Sequence, residues 1–225
     1  MVTHQSLSGS TDEEFVARMA TTHSDRFGEP FWTLFINEVA PALPAAFTAV
    51  DLGCGPGLFL HDLASRYPQA TLYGYDVTPA MIAYAEGLDW PAQSPTLAIH
   101  DVATQPLPLA AGSVHLLSMM SVLHLFDDPL AVLAEIRRVL APKGIFFLRD
   151  WIRHPLKDYL SRRQEQMDEE ATVSRQRGFR LFPVHNKYTV EDWEWLLAEA
   201  GFHIRSRASL RPTHRIFITT TGRGD

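Results

Sequence analysis

Val50-Asp51-Leu52-Gly53-Cys54-Gly55-Pro56-Gly57 reads as the end of a strand that runs into glycines and then into a helix from Leu58. Residues without a side chain let the backbone approach a ligand closely, at the carboxyl edge where open α/β sheets bind. A glycine loop alone is weak evidence, because such a loop is sometimes merely a tight strand-to-helix turn. Its details narrow the choice. A dinucleotide fingerprint, G-x-G-x-x-G, would need a third glycine where Leu58 stands, and Pro56 would stiffen the turn that wraps a pyrophosphate. The loop is suited to a ligand without a diphosphate.

Outward from this loop the same alternation continues. FTAVDL, LFLHDLASRY, TLYGYD, PAMIAYAEG and TLAIHD alternate strand and helix patterns from Phe47 onward. VHLLSMMSV and IFFLRD add a fourth and a fifth strand, joined by the helix PLAVLAEIRRVL and the turn Ala141-Pro142-Lys143-Gly144. Such alternation implies right-handed crossovers and a parallel sheet. On the N-terminal side the first ten residues are expected to fray, Thr11 with Glu14 resembles a capping box, and a second helix starts at Pro30. On the C-terminal side a helix capped by Thr189 ends before Gly201, and HIRSRASL and HRIFITTT pair as a hairpin across Arg211 and Pro212. The segment from Trp151 to Tyr188 fits neither strand nor connector; a helix, PLKDYLSRRQEQMDEEA, and a loop containing Gly and Pro are expected there. The expected organisation is a single domain, 1–225, with N-terminal helices over 11–45, a ligand-binding core over 46–150, a cap over 151–188, and a helix and strand hairpin over 189–222.

Composition fits that frame. With 225 residues, 46% of them hydrophobic and 20% charged, the chain is globular and long enough to bury one core. No apolar run is long enough to span a bilayer and no secretory signal opens the chain, so a cytoplasmic protein without membrane partners is expected. Cys54 is the single cysteine, which excludes an internal disulfide; it reads as a small buried residue. The net charge of −6 argues against nucleic acid as a partner. That charge is uneven: 6 basic and 15 acidic residues precede Arg149, whereas 14 basic and 11 acidic lie from Arg149 onward. Solvated surfaces account for this, or an anionic substrate held by the C-terminal half. The terminal Arg223-Gly224-Asp225 reads as coincidence.

Asp76 and Asp101 end the second and third strands. Either is a helix or turn aspartate by default. With the glycine loop in frame, Asp76 is placed to accept both hydroxyls of a ribose, and Asp101 to accept from the exocyclic amine of adenine.

At this point the sequence resembles the class I S-adenosylmethionine-dependent methyltransferases, over roughly Val50 to Gly144. The resemblance implies a Rossmann-like, three-layer α/β sandwich whose seven-stranded, mostly parallel sheet ends in an antiparallel strand, with N-terminal helices and a small cap between strands five and six. It implies S-adenosyl-L-methionine as cofactor and S-adenosyl-L-homocysteine as product. Asp51, Gly53, Cys54, Gly55 and Gly57 match the motif loop; Asp76, with Val77 and Met81 beyond it, matches the ribose side; and Asp101 with Val102 matches the adenine border. Ser118 to Leu125, with Met119 and His124, matches the stretch beside the methionine moiety.

The reaction implied is methyl transfer to a small-molecule acceptor. A base is needed only if the acceptor is protonated, and His124, Asp150 and His154 are the candidates. Trp32, Trp151, His185 and Tyr188 could wall the acceptor pocket, with Phe31, Phe179 and Phe182 beside them. Arg175, Arg177 and Arg180 could hold an acceptor carboxylate or phosphate. No histidine pair has the i, i+4 spacing of a zinc helix, so no metal site is expected. A nicotinamide-dependent oxidoreductase on a related sheet and a catalytically silent binding module are the competing readings; Pro56 and Leu58 count against the first, and the intact loop with both aspartates against the second.

Overall fold

The computed structural model describes residues 3–166 and 171–222. Seven strands, β1 (Thr48–Leu52), β2 (Thr71–Asp76), β3 (Thr96–Ile99), β4 (Val114–Met120), β5 (Leu140–Trp151), β6 (His203–Ala208) and β7 (His214–Thr220), form one sheet in the order β3-β2-β1-β4-β5-β7-β6. The first five are parallel, and β7 runs antiparallel to both β5 and β6. Helices precede and alternate with them: α1 (His4–Ser8), α2 (Asp12–Thr21), α3 (His23–Arg26), α4 (Glu29–Glu38), α5 (Leu58–Arg66), α6 (Pro79–Glu86), α7 (Pro129–Val139), α8 (Leu156–Gln166), α9 (Ala171–His185) and α10 (Val190–Glu199). Among the described residues, no helix is long and apolar enough to cross a membrane.

Successive side chains of a strand point to opposite faces, and here both faces are covered. Phe146 and Leu148 of β5 pack with Trp193 and Phe217 in one core, while Ile145 and Phe147 pack with Phe31, Phe35 and Ile218 in the other. The expected caps form: Thr11 and Glu14 exchange hydrogen bonds of 3.1 and 3.2 Å, and Thr189 and Asp192 exchange bonds of 2.7 and 3.1 Å; Asp128 further caps α7 by accepting from the Ala131 N–H at 3.1 Å.

Three local readings differ from the structure. The first ten residues hold a helix, α1, because the body supplies partners no local pattern announces. Gln5 Nε2 donates to Thr78 Oγ1 at 2.9 Å, and Arg177 Nε donates to the Ser8 carbonyl at 3.2 Å. The stretch with Gly178 and Pro183, expected as loop, is the helix α9. Pro183 lies near its end, where the bond it deletes is to the carbonyl of Phe179 on the exposed side, and burial of Ser174, Leu181 and His185 holds the turn-by-turn register. Finally, Ala141–Gly144 belong to β5 as an irregularity in its pairing with β4, with Lys143 at φ +65°. Met167–Glu170 of the expected cap helix, and Arg223-Gly224-Asp225, lie outside the described residues.

Candidate functional site

The strand order reverses between β1 and β4, and at such a switch point ligands bind outside the carboxyl ends of the strands. A cavity of about 620 Å³ opens there. Its wall is the Gly53–Pro56 loop and the ends of β2, β4 and β5, and helices α1, α2, α3, α8 and α9 close over it.

The loop is fixed by positive backbone angles and by β2. Gly53 has φ +72°, and a Cβ there would stand 2.4 Å from Val122 Cγ2. The Gly53 and Cys54 N–H groups donate to the Tyr75 carbonyl at 2.7 and 3.1 Å. Asp76 accepts from the Gly55 N–H on one oxygen and the Thr78 N–H on the other, each at 2.9 Å. Burial still holds its pKa above the usual carboxylate range. Asp51, fully enclosed, accepts from Ser118 Oγ at 2.6 Å. Burial, with the Asp76 charge adding to it and the Ser118 bond and Arg149 opposing, pushes Asp51 up to about 7. The Cys54 thiol is pushed up by burial and is a packing group.

The other end of the cavity is different chemistry. His124 sits in a single 3₁₀ turn after β4, and its Nδ1 lies 2.6 Å from Asp150 Oδ1. Asp150 also accepts from the N–H groups of His124 at 3.2 Å and Trp151 at 2.7 Å. His124 Nε2 is buried without a hydrogen-bond partner among the described residues. His4 Nε2 is 3.0 Å from the carbonyl of Ser121, itself held at φ +61°. His185 Nδ1 is 2.8 Å from the Tyr159 hydroxyl, and its Nε2 is 3.3 Å from His4 Nδ1. The His185 ring stacks on Trp151 at 3.8 Å between centroids. Burial first, then the neighbouring His124, lowers His4 to about 4.

Beside the histidines is a group of cations. Arg149 donates to the Arg26 carbonyl at 3.1 Å, and its Nε has no partner among the described residues. Burial, then repulsion by Arg26 and Arg211, lowers Arg149 to about 9; burial, then Arg211, lowers Arg26 to about 10. Among the described residues, no carboxylate is within ion-pair distance of Arg149 or Arg26.

Known proteins resemble parts of this chain. Residues 50–148, the loop through β5, match the family described as a methyltransferase domain. This stretch, less than half of the chain, is thus similar to a methyltransferase domain. The malonyl-acyl-carrier-protein O-methyltransferase of Hahella chejuensis is 36% identical over 103 residues, covering 42% of this chain and 33% of that protein. The trans-aconitate 2-methyltransferase of Deinococcus radiodurans is 36% identical over 110 residues, covering 49% and 40%. The chain thus spans about a third to two fifths of the length of these curated relatives. The fold extends beyond that match: a SAM-dependent methyltransferase from Aquifex aeolicus superposes with a TM-score of 0.70 over 95% of this chain and 100% of its own, at 17% identity.

Within the matched stretch, Asp51, Gly53, Cys54, Gly55, Asp76, Val77, Met81, Val102 and Met119 line the cavity. Gly57 does not; its missing Cβ, 2.7 Å from that of Ala85, lets α5 approach α6. Asp101 is also off the wall and caps its own turn by accepting from the Ala103 N–H at 2.9 Å, while His100 and Val102 face the space. His124 and Asp150 stand behind the lining, and Trp151 and His185 are part of it.

Other expected pocket residues are placed elsewhere. Trp32 packs in the core against Phe31, Phe35 and Phe59, because its helix turns that face to the sheet. His154 clamps the cap to the hairpin: its N–H donates to Asn186 Oδ1 at 2.7 Å and its Nε2 lies 3.0 Å from the Pro212 carbonyl. Tyr188 packs on Trp193 at 4.6 Å. Arg175, Arg180 and Phe179 are exposed on the outer side of α9. The arginines that do line the cavity include Arg26, Arg149 and Arg211, and with His4, Tyr159 and His214 they are what sequence reasoning missed. Arg149 alone carried a signal, as a charge closing an apolar strand, IFFLRD.

Proposed function

We propose that this chain transfers the methyl group of S-adenosylmethionine to a small, anionic acceptor. One observation carries the reading: a single cavity is lined both by the carboxylates Asp51 and Asp76 beside a glycine loop and by the cations Arg26, Arg149 and Arg211. The glycine-loop side would suit a cationic, ribose-bearing cofactor. Asp76 would accept ribose hydroxyls, Asp51 would meet the cofactor's ammonium, and Val77, Met81, Val102 and Met119 would supply apolar walls. When bound, the cofactor supplies a methyl group on a sulfonium, a good leaving group for in-line displacement.

The chain's own task is then alignment and exclusion of water. Holding acceptor and methyl near contact is worth about 7–11 kcal/mol of barrier. The arginines would hold the acceptor's charge, with Trp151 as a flat wall beside it. An acceptor that arrives ionised has no proton for His124 to remove, so the His124–Asp150 pair is not required as a base. The names of the two relatives, malonyl and aconitate, denote carboxylate-bearing acceptors, which supports the same chemistry. That N-terminal helices, core and cap all close on one cavity supports reading residues 1–225 as a single unit.

Calorimetric titration of S-adenosylmethionine, S-adenosylhomocysteine and NADH into the wild type and Asp76→Ala tests the cofactor end. Both adenosyl ligands should bind, NADH should not, and the substitution should weaken binding. A folded protein that binds neither adenosyl ligand overturns the reading, and NADH binding would then favour an oxidoreductase.

A further inference from the structure

We propose that His4, His124 and His185 are the protein ligands of a divalent first-row metal ion of the zinc class, held at the acceptor end of the cavity. One ring nitrogen from each lies within 4.8 Å of the other two. Imidazoles bind such ions at about 2.0–2.1 Å, so neighbouring donor nitrogens around one ion are about 3 to 3.4 Å apart. The His4 Nδ1 to His185 Nε2 separation is already 3.3 Å, and the remaining ones close by side-chain rotation.

The outer hydrogen bonds select the right nitrogens. A carbonyl only accepts, so His4 Nε2 donates to Ser121 and its lone pair is on Nδ1. The Asp150 carboxylate accepts a hydrogen bond from His124 Nδ1–H, which puts the lone pair on Nε2, buried and unpartnered among the described residues. This carboxylate–histidine arrangement is the one that orients metal-bound imidazoles and raises their basicity. His185 meets a hydroxyl, which serves either way. Tyr159 donates to Nδ1 while Nε2–H faces His4, and it accepts from Nδ1–H once Nε2 turns its lone pair to an ion. An all-imidazole set suits Zn²⁺, Co²⁺, Ni²⁺ or Cu²⁺ and not Mg²⁺ or Ca²⁺. Three protein donors leave at least one position, and because His4 and His185 line the cavity, that position faces the acceptor space. An acceptor carboxylate would take it.

The last step rests on the proposed function, whereas ion binding does not, and the experiment separates them. Tag-free protein, stripped with EDTA and free of S-adenosylmethionine, is titrated with Co²⁺ while visible ligand-field absorption is recorded. One saturable equivalent is expected in the wild type and in His61→Ala and His154→Ala, whose rings lie outside the cluster. His4→Ala and His185→Ala should abolish the bands, and Asp150→Asn should weaken Co²⁺ binding about 10- to 100-fold. If the His185 or Asp150 variant fails to fold, His4→Ala, on the short terminal helix, decides the matter alone. No saturable spectrum in the wild type, or bands that survive in His4→Ala, would overturn the proposal while leaving cofactor binding untouched.

Discussion

Asp51 makes cofactor affinity depend on pH, with a sign that the structure fixes. Its carboxyl is enclosed beside the glycine loop and titrates at about 7; Asp76 from β2 raises it, and Ser118 from β4 and Arg149 from β5 oppose. Below about pH 7 the free protein therefore carries a proton there. A cationic cofactor favours the carboxylate, so binding expels that proton, and affinity should rise about tenfold per pH unit up to about pH 7 and then level off. Between pH 5 and pH 8 the gain is about 100-fold, roughly 2.7 kcal/mol at about 1.36 kcal/mol per unit. The same group acts on stability. A carboxyl whose pKa is raised on folding favours the folded state at low pH, and that contribution is lost as pH rises from about 4 to about 7. Calorimetry in buffers of different ionisation enthalpy reads the affinity and the proton together, and Asp51→Asn should flatten both profiles. A wild-type affinity that is constant from pH 5 to 8, or proton uptake on binding, would refute the reasoning.

Three further outcomes are expected from particular contacts. Gly53→Ala places a Cβ 2.4 Å from Val122 Cγ2 at φ +72°, and urea unfolding should show a loss of about 1–3 kcal/mol together with weaker cofactor binding. Arg149→Met removes a buried cation from the acceptor end; KM for an anionic acceptor should rise about 10- to 100-fold, from a charged hydrogen bond worth about 1.5–3 kcal/mol, with cofactor Kd changed by less than about threefold at pH 8. Trp193→Ala empties a fully buried site and frees the Trp151 carbonyl that its Nε1 reaches at 2.8 Å, so a stability loss of about 3–5 kcal/mol is expected in denaturant titration.

The features legible in the sequence are those that lie along the chain. Gly53 to Gly57, Asp76 and the alternating runs are contiguous patterns, and each carries its reason within a few residues: a positive φ, a strand end, a helix start. The glycine-loop side of the cavity wall is therefore read almost residue by residue. Asp101 and Gly57 show the limit of that reading. A strand-end aspartate caps its own turn as readily as it meets a ligand, and a motif glycine can serve packing between helices rather than the cavity. The acceptor end is the opposite case. His4, His124 and His185 are far apart in sequence and no spacing links them; Arg26, Arg149 and Arg211 come from a short helix, a strand and a hairpin turn.

The misplaced arginines show why this end escapes local reading. Arg175, Arg177 and Arg180 form the visible cluster in sequence, yet two of them point outward because α9 turns Leu181 and His185 to the cavity. A helix that presents one face inward must turn neighbouring charges away, so proximity along α9 works against joint contact with a ligand. The cations that do converge each arrive on a different element, and each is held by backbone carbonyls rather than carboxylates: Arg149 on Arg26, Arg26 on Met19 and Thr22, Arg211 on Asp25. Carbonyls position a guanidinium without cancelling its charge. On the proposed function, the positive charge on this side is left for an anionic acceptor to neutralise, and its recognition would follow from the packing of α1, α3 and α9 over the sheet edge beside the glycine loop.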